Sequence, residues 1–249
     1  MCTLSFVDRP EGFELFFNRD ERRDRKAALP PSVHPGPLRF LAPIDGESGG
    51  TWIAVNEAGL VLCLLNHYEG TEGAVESGLE SRGRLVVALA ACRSAAEAAG
   101  AVTEGVARRF RPFRLVLFQH GSPPLMVLYD GRGVARSTLA WDAEPVVSSS
   151  VDPAGVTLSR RRLFRRLGPS GRRDPNRLFE YHRSHEPEIG PYSVCMHRPD
   201  ARTVSLTRVS VERDVARMWY APGPPCRTEL GPPRTLPLRR LPQASPRGA

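Results

Sequence analysis

Two short apolar runs near the N-terminus, Leu4-Ser5-Phe6-Val7 and Phe13-Glu14-Leu15-Phe16-Phe17, are separated by Asp8-Arg9-Pro10-Glu11-Gly12. Gly, Pro and Asp supply the dihedrals and breaks that a hairpin connection needs, so the runs are predicted to be paired strands. A hairpin folds the exit of the second strand back beside the start of the first. That sets the polar cluster Asn18-Arg19-Asp20-Glu21 next to Cys2, the residue after Met1.

The chemistry of that juxtaposition points to a nucleophile. Removal of Met1 is expected when a small residue follows it, and would leave Cys2 with a free α-amine on the atom that carries its thiol. An α-amine has a reference pKa near 8 and a free thiol one near 8.5, so part of the amine is neutral at pH 7 and close enough to act as base. A neighbouring arginine favours the thiolate. Arg19 is the candidate for that role, and Asp20 the candidate to hold the α-amine by a hydrogen bond. The alternative is a cysteine that merely falls at position 2.

Four motifs in order carry a family resemblance: Met1-Cys2-Thr3, Asn18-Arg19-Asp20-Glu21, Gly49-Gly50-Thr51-Trp52, and Asn56-Glu57-Ala58-Gly59 running on to Leu64-Leu65-Asn66. Together they resemble the NRDE family, of the transport and Golgi organisation protein 2 type, and the likeness extends more weakly to about residue 220. That family is similar to N-terminal-nucleophile hydrolases of the penicillin V acylase and bile salt hydrolase kind. The resemblance implies an α+β, four-layer αββα sandwich and cleavage of linear C–N amide bonds. It implies that Asn66, at the end of a strand, helps form an oxyanion hole. Asn18, Trp52 and His67 are the candidate substrate contacts, and His67 reads as a loop residue rather than a base because the α-amine fills that role. The relatives place an Asn where this chain has Ser148-Ser149-Ser150, and an Arg where it has Gly190-Pro191. Eukaryotic members are linked to haem handling and to lipid or acyl-CoA metabolism.

Composition bounds the rest. The 249 residues, 41% hydrophobic and 25% charged, suit a globular chain of one large domain or two small ones. The expected division is a catalytic-type domain over 1–221 and a disordered tail over 222–249, where eight prolines and few apolar anchors fall in 28 residues. Five cysteines, at 2, 63, 92, 195 and 226, show no paired spacing, which argues against a disulfide framework or a zinc site. A reducing, cytoplasmic compartment is the simplest setting. There is no basic region followed by a long apolar stretch, and the longest apolar run, Leu85 to Cys92, is far short of a membrane span.

The formal charge of +8 is almost all arginine, since Lys26 is the sole lysine. About half the excess sits in the tail. The most basic stretch, Arg160 to Arg173, has no aromatic interleaving and no recognised nucleic-acid module, so it reads as a solvated helix face rather than a nucleic-acid contact. His182 and His185 lie three apart beside Glu186, but without the HExxH pattern or a third ligand no metal is predicted there; a loop is the ordinary reading.

Along the chain, Pro30 to Pro37 reads as a surface loop, Thr51 to Val55 and Leu60 to Leu65 as strands around the Asn56–Gly59 turn, and Glu72 to Arg82 as a loop. Gly83 to Cys92 and Ala95 to Arg109 read as helices, the second capped by Ser94. Arg82 and Arg84 are expected at a solvated helix start. Phe113–Phe118, Leu125–Tyr129 and Val134–Leu139 form a β-meander, Ala154 to Leu167 a helix, and Tyr192–His197, Thr203–Val211 and Val215–Tyr220 the closing strands.

Two functions from different classes follow. One is a Cys2 amidohydrolase, also competent on thioesters, acting on a small-molecule amide or acyl substrate without a cofactor. The other is a non-catalytic carrier of haem, acyl-CoA or lipid on the same scaffold.

Overall fold

The computed structural model describes residues 2–69, 78–172 and 174–239. The hairpin is there: β1 (Cys2–Arg9) pairs antiparallel with β2 (Gly12–Arg22), and the register sets Cys2 opposite Arg19. Next come the strands β3 (Leu29–His34), β4 (Phe40–Ile44), β5 (Ile53–Asn56) and β6 (Val61–Asn66). Three helices follow, α1 (Arg82–Leu89), α2 (Ala95–Ala101) and α3 (Glu104–Ala107). The meander is β7 (Phe113–Phe118), β8 (Leu125–Tyr129) and β9 (Val134–Thr138), and β10 (Val146–Ser148) comes after it. The helices α4 (Pro153–Arg166), α5 (Gly168–Arg172) and α6 (Pro175–Arg183) precede the long β11 (Ala201–Glu212), β12 (Val215–Ala221) and β13 (Arg234–Pro237).

The strands form two antiparallel sheets, ordered β10-β1-β2-β11-β12-β13 and β3-β4-β5-β6-β7-β8-β9. Side chains alternate across a strand, so each sheet has two buried faces. The facing sides share one core, in which Leu4, Phe6, Phe13, Leu15 and Phe17 meet Ile53, Val55, Val61, Cys63 and Phe118. The outer face of the second sheet packs Leu62, Leu64 and Leu115 on α1 to α3. The outer face of the first packs Phe16 and Leu206 on α4 and α6 through Leu163, Phe164, Leu178 and Tyr181. Helix, sheet, sheet, helix is the αββα sandwich. Burying one Phe or Leu contributes about 1.5–3 kcal/mol, and the inter-sheet aromatic cluster adds edge-on contacts such as Phe6–Phe118, with centroids 5.0 Å apart.

Between the first sheet and its helices lies a polar layer. Thr3, Ser5, Asn18 and Asp20 project on the face opposite Cys2 and Arg19, and all are buried. His182 of α6 meets the Ser5 hydroxyl at 2.8 Å through Nε2 and Asn18 Oδ1 at 3.0 Å through Nδ1, and its ring stacks on Phe16. Burial, and secondarily the Arg160 charge, push the His182 imidazole down to about 3, so it is neutral in the folded protein. An unfolded His titrates near 6.5. Between those values the unfolded chain binds a proton that the folded chain does not. Stability is therefore complete above pH 6.5 and falls by about 1.4 kcal/mol per pH unit on acidification through that window. The unfolding midpoint should drop between pH 7 and pH 5, and NMR should show one imidazole that does not titrate there. Protonation of every histidine by pH 5.5 would refute this.

Several expectations need correction. Leu29–His34 is not loop but an edge strand, a place where prolines are tolerated because one side of the backbone has no ladder to make. The second helix breaks at Val102, because Thr103 starts a new helix by accepting the Val106 N–H on its own hydroxyl; the Ser94 cap is present and accepts from Glu97 N. His182 belongs to a helix, not a loop. Residues 192–195 form bends rather than a strand, and His197 makes an isolated bridge to Arg202. Most consequentially, the segment from 222, expected to lack structure, contributes β13, which extends the first sheet beyond β12 and buries Leu236. Only residues 240–249 of it, like most of the Glu72–Arg82 loop, lie outside the described residues. Among the described residues no helix is long and apolar enough to cross a membrane.

Candidate active site

Cys2 lies at the first position of β1 with β2 on one side and β10 on the other, in register with Arg19 and Ser148. Its side chain, 7% exposed, points into the inter-sheet layer at the edge of a cleft of about 140 Å³. Arg19, Asp20, Asp45, Trp52, Asn66 and Arg82 share that cleft. Burial raises the Cys2 thiol pKa above its ordinary value; the Asp20 charge adds to this, while the Asp20 backbone N–H and the Arg19 guanidinium oppose it. At neutral pH the resting group is a thiol, and a nucleophile there needs a base.

Arg19 projects on the same face as Cys2. Its guanidinium lies over the Trp52 ring, 4.3 Å from the centroid, and pairs with Asp45. Asp45 also accepts two hydrogen bonds from Arg25, each 2.9 Å, and one from the Ser48 hydroxyl. Burial alone would raise its pKa, but these donors and the Arg19 charge outweigh it and hold the carboxyl well below the usual range. Asp45 is thus a fixed anion that aims Arg19. Trp52 contributes more than a platform: its indole N–H is buried and has no partner among the described residues.

Asp20 divides its work. Its amide faces the Cys2 thiol, while its carboxylate turns to the helix side. There Oδ1 accepts from the Thr203 hydroxyl at 2.6 Å and Oδ2 pairs with Arg160 at 3.3 Å. Arg160 also donates to the Thr3 hydroxyl at 2.5 Å and to the Pro191 carbonyl at 3.3 Å. Across from these residues β11 carries a bulge, since Thr203 opposes Asp20 but Ser205 opposes Arg19. An extra residue in one strand bends it and re-aims side chains, a device common beside functional sites.

Asn66 reaches the cleft from the end of β6, and its Nδ2 donates to the Tyr68 hydroxyl at 2.7 Å. An amide nitrogen carries two N–H groups, so one remains for another acceptor. Arg82 lines the same wall and donates to the Pro112 carbonyl at 3.0 Å. It arrives there because Gly50 and Gly83 touch backbone to backbone: a Cβ on Gly50 would lie 2.5 Å from the Gly83 carbonyl carbon.

Asn18 and His67 are not in the cleft. Asn18 alternates with Arg19 and so faces the helices, where its Nδ2 donates to the His182 and Val194 carbonyls at 2.9 and 3.0 Å. His67 follows Asn66 and turns away to Glu69, 2.9 Å from Nδ1. Strand alternation keeps Asn18 on the helix side, and His67, beyond the end of β6, is not among the residues that line the cleft. Arg82 and Arg160, expected on solvated helix surfaces, are not there. One lines the cleft and the other is fully buried beneath it. The remaining arginines of α4 are largely surface ion pairs, Arg161 and Arg165 with Glu144 and Arg166 with Glu186. Ser148 opens the three-serine segment where the resemblance leads to the expectation of an Asn; its hydroxyl is buried without a partner among the described residues.

This architecture is found in solved structures. The chain is similar to a penicillin V acylase from Agrobacterium tumefaciens (TM-score 0.55, 12% identity, covering 97% of this chain and 87% of that one). It is similar also to an N-acylethanolamine-hydrolyzing acid amidase orthologue from Caenorhabditis elegans (0.57, 11%, 84% and 92%). A third is a mutant conjugated bile acid hydrolase from Clostridium perfringens (0.52, 9%, 88% and 88%). At such identities the likeness is one of fold, and the fold is that of the N-terminal-nucleophile hydrolases. No curated protein matches the chain significantly. Residues 1–162 match the family Transport and Golgi organisation 2, and the chain belongs to that family.

Proposed function

We propose that this protein is an N-terminal-cysteine hydrolase that cleaves a small-molecule amide or thioester through an acyl-enzyme. The observation that carries the reading is the position of the Cys2 thiol in a cleft shared with Arg19 and Asn66, each delivered by a different strand. Removal of Met1 would put the α-amine on Cys2 itself. Since burial keeps the thiol protonated, that amine takes the thiol proton as sulfur attacks the carbonyl carbon. The free N–H of Asn66 Nδ2 donates to the developing oxyanion. The amine then gives its proton to the leaving nitrogen, the C–N bond breaks, and a thioester remains. Water, deprotonated by the same amine, releases the acid and restores the thiol. Arg19, aimed by Asp45 and Trp52, stabilises the thiolate as it forms.

Asn66→Ala should lower kcat by about 10²–10³ with little change in KM, the usual cost of one oxyanion donor. Unchanged kcat would remove Asn66 from the mechanism. The rate should rise about tenfold per pH unit up to the α-amine pKa, near 8, and then level off. A rate independent of pH between 6 and 8 would argue for a different base.

The carrier alternative has less support. The lining of the cleft is crowded with charge, from Arg19, Asp20, Glu21, Arg25, Asp45 and Arg82, whereas sites for largely apolar ligands are lined mainly by apolar and aromatic side chains. Tight haem binding that survives Cys2→Ala, with no turnover in the wild type, would favour it instead.

A further inference from the structure

Away from the cleft, four metal-ligand side chains converge from three separate segments. His185 follows the end of α6, Cys195 and His197 lie in the loop before β11, and Cys226 lies between β12 and β13. One ligand atom from each falls within 4.8 Å of every other. His197 Nε2 stands 3.6 Å from the Cys195 sulfur and 3.4 Å from the Cys226 sulfur. The His185 and His197 rings are 5.2 Å apart between centroids and steeply inclined, at 76°.

We infer that these residues form a structural, tetrahedral Cys₂His₂ site for a divalent, thiolate-preferring metal ion, zinc above all. The geometry points to a common centre. With zinc–sulfur bonds of about 2.3 Å and zinc–nitrogen bonds of about 2.0–2.1 Å, the edges of a tetrahedron run about 3.4–3.8 Å, and the sulfur–nitrogen contacts already match. Hydrogen bonding accounts for only part of the cluster. Both thiols lie within reach of one imidazole nitrogen, and Cys195 is hydrogen-bonded to Cys226 as well. Meanwhile His185 Nε2 is buried with no partner among the described residues. A cation at the centre would satisfy all four groups at once. Two thiolates and two neutral imidazoles are a borderline-soft set that selects zinc over magnesium or calcium, and four protein ligands leave no open position, as in structural rather than catalytic zinc sites.

The site also has something to hold. The Cys195 N–H donates to the Ser184 carbonyl, and Met196 makes reciprocal bonds with Thr203, whose hydroxyl donates to Asp20. A metal there would pin the 184–197 loop and the 222–228 segment against the strand that supports the cleft. All four ligands lie beyond residue 162, where the family match ends. The spacing of the cysteines conceals the site, because no two of its sulfurs come from one CxxC pair.

Co²⁺ titrated into the reduced, metal-stripped full chain is the test. The expected result is one equivalent bound, with the intense visible d–d bands of a tetrahedral thiolate site, release of about two protons per metal from the thiols, and bleaching by one equivalent of Zn²⁺. Cys195→Ser and Cys226→Ser should each remove the sulfur-to-cobalt charge-transfer intensity or weaken binding at least a hundredfold. His185→Ala, a milder change, should weaken it about 10–100-fold with the fold intact by circular dichroism, and Cys2→Ala should leave the spectrum unchanged. Zn²⁺ should also shield Cys195 and Cys226 from a thiol reagent while Cys2 is still modified. No tetrahedral spectrum, a spectrum that survives loss of both cysteines, or a Cys195–Cys226 disulfide that persists in reducing buffer would overturn the proposal.

Discussion

Cys2→Ala should abolish turnover of N-acyl amide and acyl thioester reporters, lowering kcat on the order of 10⁴-fold or more, while the protein stays folded. The kinetic loss is large because nucleophile and base act as a unit: without sulfur there is no acyl-enzyme, and the α-amine and Asn66 have nothing to assist. The structural cost is small. Cys2 is a minor occupant at the margin of the inter-sheet core, and removing its sulfur should cost about 1 kcal/mol. Intact mass spectrometry supplies the second half of the result. Active protein should lack Met1, and a brief pulse of reporter should leave an acyl adduct on the Cys2 peptide of the wild type but not of Cys2→Ala. Turnover that survives the substitution, or full activity in protein that keeps Met1, would end the enzymatic reading.

Asp20→Ala should be the most destabilising single change near the cleft. The Asp20 and Arg160 side chains are fully buried against each other. Removing the carboxylate strands a guanidinium that retains, among the described residues, the Thr3 hydroxyl and the Pro191 carbonyl as neutral acceptors. It also leaves the Thr203 hydroxyl without its acceptor. Breaking a buried pair from one side costs about 3–5 kcal/mol, which for a chain of this size lowers the thermal midpoint by roughly 6–20 °C. Removing both partners should cost much less than the sum of the two single changes, because no charge is then left stranded. Strict additivity in that cycle would mean that the pair is not coupled. Activity should fall with Asp20→Ala as well, since the Asp20 amide faces the Cys2 thiol.

The parts of the site that were legible in advance are those where local chemistry and strand geometry agree. The Asp8–Gly12 turn sets the hairpin, and the hairpin sets Cys2 against Arg19. The continuous apolar run before Asn66 sets a strand buried on both faces, whose end opens into the cleft. What failed was the assumption that a motif contiguous in sequence stays contiguous in space. Asn18 and Arg19 are neighbours in the chain but serve opposite faces of the sheet, and of the neighbours Asn66 and His67 only Asn66 lines the cleft. Arg160 and His182 had no local signal. Each lies on a polar helix, and nothing in α4 distinguishes the one arginine that meets Asp20 from those that meet solvent and Glu144.

By itself the sequence determined the hairpin, the buried strand ahead of Asn66, the Ser94 cap and the family, because turn residues, apolar periodicity and motif order act over short distances along the chain. Only the tertiary structure decided which polar groups are buried together. The Asp20–Arg160 pair, the His182 clasp and the four-ligand cluster each join segments tens to well over a hundred residues apart. Such meetings are selected by the packing of layers, which no local pattern encodes.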